Sequence, residues 1–178
     1  MEKKFELTDN FVINAFGIKL FQIKCTKSFK YANEGDLGGY VEKEDNLSQS
    51  GDAWVYVDAW VSGDAWVSGD ARVSGYAWVS GDAPVSGNAW VYGYAQVYGD
   101  ARVENNHMHC GFDCFGSCNR HTHAYKTKGN KVEITCGCFR GSLEEFEKKV
   151  EETHKGTIYE KQYKAIINLI KIKFGIDG

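Results

Sequence analysis

Between residues 105 and 123 the sequence NNHMHCGFDCFGSCNRHTH gathers four histidines and three cysteines, and Cys136 and Cys138 add two thiols further on. Imidazole nitrogen and thiolate sulfur are the usual zinc ligands. Cys110, Cys114 and Cys118 could therefore join His107, His109, His121 or His123 around an ion. The three residues between successive cysteines are not the spacing of a zinc ribbon, and free thiols, packed or partly exposed, are the plainer expectation. No metal and no cofactor are expected.

The same stretch contains Gly116-Ser117-Cys118-Asn119-Arg120-His121-Thr122. Hydroxyls, glycine amides and a guanidinium are the groups that grip a phosphate or carboxylate. Ser117, Arg120 and Thr122, with Lys126, Lys128 and Arg140, form the candidate ligand-binding set; a plain turn between two strands is the alternative. Residues 105–178 carry twelve basic and nine acidic side chains, whereas residues 51–104 carry two basic and seven acidic ones. A local anion site fits that asymmetry. With a net charge of −3, bulk nucleic-acid binding does not.

The frame that must hold these groups is written in nine consecutive six-residue units from Gly51 to Glu104: GDAWVY, VDAWVS, GDAWVS, GDARVS, GYAWVS, GDAPVS, GNAWVY, GYAQVY and GDARVE. In an extended segment Ala and Val, two apart, face inward, and the Trp/Arg and Ser/Tyr positions face outward. Gly-Asp makes the corner. One unit buries too little alone, so coils must stack. The pattern resembles the hexapeptide repeat of left-handed parallel β-helices. That resemblance implies three units per triangular coil, hence three coils rising ~4.8 Å each, and it supplies the left hand, because topology alone favours the opposite one. Val41 and Leu47 continue the phase and predict a degenerate capping coil at 39–50, with a loop as the alternative.

Stacked coils turn the outward positions into columns. Trp54, Trp60, Tyr76, Trp78, Trp90 and Tyr94 then form contiguous apolar surface that a soluble monomer rarely leaves open. The β-helix resemblance implies a homotrimer packed through these faces. Stacking of a carbohydrate or a base on the indoles is the alternative.

Residues 1–38 read as an N-terminal β-hairpin cap, FVINAFGIKLFQIKC turning near Ala15 to Gly17. Residues 39–104 are the solenoid, and residues 105–178 a C-terminal α+β module. The glycine-rich GDLGGYVE stretch lacks the lysine and strand-to-helix context of a phosphate loop. In the module, AYKTKGNKVEITCGCF is a second hairpin turning at Lys128 to Asn130. Ser142-Leu143-Glu144-Glu145 is a capping box opening a helix that stops near Gly156, and a second helix spans Tyr159 to Phe174. The expected fold is mainly β: a left-handed parallel β-helix with a hairpin cap and a small α+β module ending in two helices. No stretch approaches membrane-spanning length, and MEKKFELTDNFV lacks an apolar signal core. A cytoplasmic location with mostly reduced cysteines is expected.

A hairpin, then GDLGGYVEKEDNLSQSGDAWV, then the hexads, then a GS…R…T segment, then CGCFRGSLEEFEKKV together resemble a family of mostly uncharacterised bacterial and prophage hexapeptide-repeat proteins. The resemblance covers nearly the whole chain and implies a phage-linked setting, with the host cytoplasm as the location. Here Cys118 and Asn119 precede Arg120, so the arginine is out of the family's register. The first three cysteines and most of the histidines lie outside the shared pattern, which weighs against zinc.

Hexapeptide acyltransferases need a histidine base in or beside the coils. Residues 51–104 contain none, leaving His107, His109 or His123 as candidates and making an acyltransferase the lesser alternative. A γ-type carbonic anhydrase would need three solenoid histidines. The expected function is non-catalytic: an oligomeric phage-type protein capturing a small anionic ligand, a nucleotide immune signal being one such ligand. A protein-binding inhibitor of a host defence system is the competing expectation.

Overall fold

The computed structural model describes residues 2–176, which fall into two compact units that divide between Asn106 and His107. In the first unit β1 (Phe5–Ile13) and β2 (Lys19–Cys25) pair antiparallel, from Phe5 opposite Cys25 to Ile13 opposite Lys19. Asn14 holds the turn, its Oδ1 accepting from the amides of Phe16 (2.9 Å) and Ile18 (3.0 Å). Next, β3 (Leu37–Val41) pairs antiparallel with β2 and parallel with the first repeat column. The hairpin thereby extends one face of the solenoid and occupies an edge that would otherwise be open.

Gly38 and Gly39 let β3 lie this close. A Cβ on Gly39 would stand 2.5 Å from the Ala59 carbonyl oxygen, and one on Gly38 2.7 Å from that of Val55. The GDLGGY stretch is a packing device and not a phosphate loop.

The repeats give eight two-residue strands: β4 (Trp54–Val55), β5 (Trp60–Val61), β6 (Trp66–Val67), β7 (Arg72–Val73), β8 (Trp78–Val79), β9 (Pro84–Val85), β10 (Trp90–Val91) and β11 (Gln96–Val97). Each pairs in parallel with the strand eighteen residues away, as Trp60 with Trp78 and Trp78 with Gln96. Three faces result: β3-β5-β8-β11, β4-β7-β10, and β6-β9 lengthened by bridges from Leu47 to Val67 and Val85 to Val103. Pairing of Tyr40 with Trp60 and of Leu47 with Val67 makes residues 39–50 a degenerate coil stacked on the first regular one. Every repeat alanine from Ala53 to Ala101 and every repeat valine from Val55 to Val103 is buried, so the core is a stack of small aliphatic layers.

Two buried side chains satisfy backbone carbonyls of the first coil. The Lys4 ammonium donates to the carbonyls of Ala53 (2.8 Å) and Gly51 (3.3 Å). Asn46 Nδ2 donates to those of Ala65 (2.8 Å) and Gly63 (3.0 Å), two residues apart in the same way.

One corner differs from the rest. Gly63 opens the third unit with φ +66°, a value that a β-branched residue avoids. In the second unit Val57 stands in the glycine position, and the left-handed backbone moves to Asp58, at φ +69°.

Trp54 is a correction to the outward-facing column. It is only 2 % exposed, because Phe29 packs edge-on to its indole at 5.4 Å and the Lys4 ammonium lies over the Phe29 ring. It is a core residue and cannot serve as an exposed subunit contact.

In the second unit β12 (His109–Phe115), β13 (Arg120–Lys126), β14 (Val132–Cys136) and β15 (Phe139–Ser142) form an antiparallel sheet in chain order. Helix α1 (Leu143–His154) opens on the capping box, with Glu145 N donating to Ser142 Oγ (3.2 Å) and Ser142 N to Glu145 Oε2 (2.7 Å). Helix α2 (Ile158–Phe174) is capped by Thr157 and ends at Gly175 in the left-handed conformation. Leu143, Phe146, Val150, Tyr163, Ile166, Ile167 and Ile170 pack with Ala124, Ile134 and Cys136 of the sheet. Each buried isoleucine contributes roughly 1.5–3 kcal/mol. Among the described residues no helix is long and apolar enough to cross a membrane.

Candidate functional site

Side chains alternate along β13. Thr122 and Ala124 turn toward the helices, Thr122 donating to Cys136 Sγ at 3.3 Å, and His121, His123 and Tyr125 take the opposite face. Arg120, in step with Thr122, emerges where the sheet ends and the helices continue. There a cavity of about 280 Å³ opens, lined by Ser117, Cys118 and Arg120 from the β12–β13 turn and β13, by Cys136 and Cys138 from the next turn, and by one side of α1.

The cavity has a cationic side and an aromatic side. Arg120 is exposed, and among the described residues its guanidinium makes no hydrogen bond or ion pair. From α1 come Lys149, which makes a 3.7 Å ion pair with Glu152, and the Thr153 hydroxyl. Phe139, Phe146 and Tyr163 supply aromatic surface, with Phe146 edge-on to Tyr163 at 5.6 Å. His154 stacks on Tyr163 at 5.4 Å and 26°. Burial pushes the Tyr163 phenol well above the ordinary range, helped by the Cys136 thiol 3.7 Å away, so it stays protonated. Such a site can hold an anion by charge-assisted hydrogen bonds beside an apolar aromatic wall.

Residues 65–81 and 95–108 match the family model of the YdcK Beta solenoid repeat. No curated protein matches the sequence. The chain is a β-solenoid repeat protein. The matched stretches fall in its coils apart from the last four residues, 105–108, so the likeness describes the scaffold and leaves the cavity-bearing unit to its own geometry.

Of the solenoid protein's expected ligand-binding residues, Ser117 and Arg120 line the cavity. Thr122 is fully buried against Cys136 and faces no open space. Lys126 lies at the far end of β13, roughly 20 Å from Arg120 at ~3.3 Å per residue, and donates to Asn130 Oδ1 (2.8 Å). Lys128 stands in the exposed 128–130 turn. Arg140 pairs with Glu133. These four are corrections to the expected set, because strand alternation and strand length carry them away from Arg120.

The cysteines and histidines separate as well. Among the described residues no three His, Cys, Asp or Glu side chains gather to hold a metal ion. Cys110 packs toward the helices, where burial pushes its thiol up to about 11. Cys114, near the end of β12, and Cys118, in the β12–β13 turn, are exposed. On the opposite face His109 Nδ1 and His123 Nε2 are 3.0 Å apart, and His121 Nδ1 meets Asp113 Oδ1 at 2.6 Å.

Sequence reasoning missed Lys149, Thr153 and His154. The signal was present: Phe146, Lys149, Val150 and Thr153 recur at helical spacing, so the stripe that buries Phe146 and Val150 carries polar groups along its edge.

Proposed function

We propose that the C-terminal unit is a non-catalytic receptor for a small anion bearing a flat ring, with nucleotides as the ligand class. The observation that carries this reading is the exposed Arg120 guanidinium, without a partner among the described residues, on the rim of a cavity that also holds Lys149, Thr153 and aromatic side chains. Charged hydrogen bonds of this kind contribute about 1.5–3 kcal/mol each. In the phage-linked setting that the sequence resemblance implies, such a receptor would sequester a host nucleotide signal stoichiometrically.

The proposed assembly is a homotrimer. Of the expected contact residues, Trp90 and Tyr94 are exposed by 39 % and 60 %, and Trp66 and Tyr92, not in the expected set, add further apolar contact surface on the solenoid.

Calorimetric titration with nucleoside phosphates and with inorganic phosphate tests the receptor reading. Saturable binding that Arg120→Ala weakens about tenfold or more, a loss of ~1.4 kcal/mol, is expected. Absence of binding to every nucleotide tried, or full affinity in Arg120→Ala, would overturn it.

A further inference from the structure

We propose that a second cleft, on the solenoid and independent of the anion cavity, binds a pyranose ring of a glycan. It has a volume of about 220 Å³ and is lined by Asp58, Trp60, Tyr76, Trp78 and Gln96. Two indoles, a phenol, a carboxylate and a carboxamide are the groups that recognise sugars: aromatic surface receives the apolar C–H side of the ring, and acceptors at its rim take the hydroxyl protons.

The aromatic geometry suits a sugar better than a nucleobase held between two rings. Trp60 and Trp78 meet edge to face, 6.2 Å apart at 74°, so they form no parallel slot for a planar base. Tyr76 and Tyr94 stack on each other at 5.2 Å and 12°, each spending one ring face on the other. The cleft is also fixed in advance. Trp78 is held by Phe16 at 5.6 Å, by Tyr98 edge-on at 5.3 Å, and by its Nε1 donating to buried Ser62 Oγ at 3.3 Å.

Asp58 decides between a sugar and another copy of the chain. It is exposed, has no hydrogen-bond or ion-pair partner among the described residues, and none of the lining side chains is cationic. Covering that carboxylate with an apolar face would leave a buried unpaired charge, whereas sugar hydroxyls donate to it. The position is also where the repeat departs from its rule. Val57 displaces the corner glycine, and Asp58 takes the left-handed backbone at φ +69° beside the cleft.

The test is titration of the intact protein with soluble gluco-, N-acetylgluco-, galacto- and manno-configured oligosaccharides, read by tryptophan fluorescence and by saturation-transfer NMR. At least one of these is expected to saturate with a dissociation constant at or below about 1 mM. Asp58→Gly, which suits the left-handed corner, and Trp60→Ala should each weaken it about tenfold or more, with Asp58→Gly leaving melting and the number of subunits unchanged. Failure of every sugar to saturate, or binding that survives both substitutions, overturns the proposal. So does loss of the oligomer in Trp60→Ala, which would assign the column to a contact between copies.

Discussion

The Arg120 side chain lies across the backbone of Gly137. A Cβ at that glycine would stand 2.7 Å from Arg120 Cδ and 3.0 Å from its Cζ, and Gly137 itself is at φ +61°. The tight β14–β15 turn therefore acts as the shelf that aims the guanidinium into the cavity. Gly137→Ala adds a methyl group under the arginine and costs about 1–2 kcal/mol in the left-handed backbone. Its expected signature is a small drop in melting temperature together with anion affinity lowered about as far as in Arg120→Ala. Unchanged affinity in Gly137→Ala would show that the shelf does not position the arginine.

Lys4 makes the solenoid unit sensitive to alkaline pH. Burial lowers its ammonium from the usual 10.5 to about 8. Between these values the unfolded chain binds more protons here than the folded one, so stability rises with pH through that window, by at most about 3 kcal/mol. Urea unfolding of the protein and of Lys4→Met at about pH 7.5 and about pH 10 isolates the effect. The stability difference should move in favour of the unsubstituted protein at the higher pH, and a difference that stays constant would contradict the assignment.

His109 works in the acid direction. Burial, with a smaller contribution from Lys173, depresses its pKa from 6.5 to about 4, so it is neutral in the fold beside His123. The stabilisation is fully present above pH 6.5 and is lost as pH falls toward 4. Unfolding midpoints should decline across that window by an amount equivalent to no more than about 3 kcal/mol. His109→Gln, which can still hydrogen-bond His123, should flatten the decline, and an equally steep decline in His109→Gln would place the acid sensitivity elsewhere.

The solenoid was legible because its signal is local and repeated: Ala and Val two apart, a corner every six residues, and a phase that Val41 and Leu47 carry upstream. The Ser142 capping box and the Gly156 stop were legible because their signals are local too. Trp54 was not, since the segment that covers it, around Phe29, is a remote partner with no counterpart in the repeat. In the second unit Ser117 and Arg120, expected to bind a ligand from a hydroxyl-and-guanidinium cluster, line a common cavity. Thr122, Lys126, Lys128 and Arg140 were grouped with them by closeness in sequence, which a strand undoes by alternating its faces and carrying neighbours apart. The α1 contribution was hidden because an amphipathic stripe reads as core until its flanking residues are seen to border open space.

Native mass spectrometry of the protein purified gently from cells tests the central claim most directly. The receptor reading predicts a trimer whose subunits carry a small organic adduct, released on denaturation and absent from Arg120→Ala prepared in the same way. A ligand-free protein, or an adduct retained in full by Arg120→Ala, would contradict it.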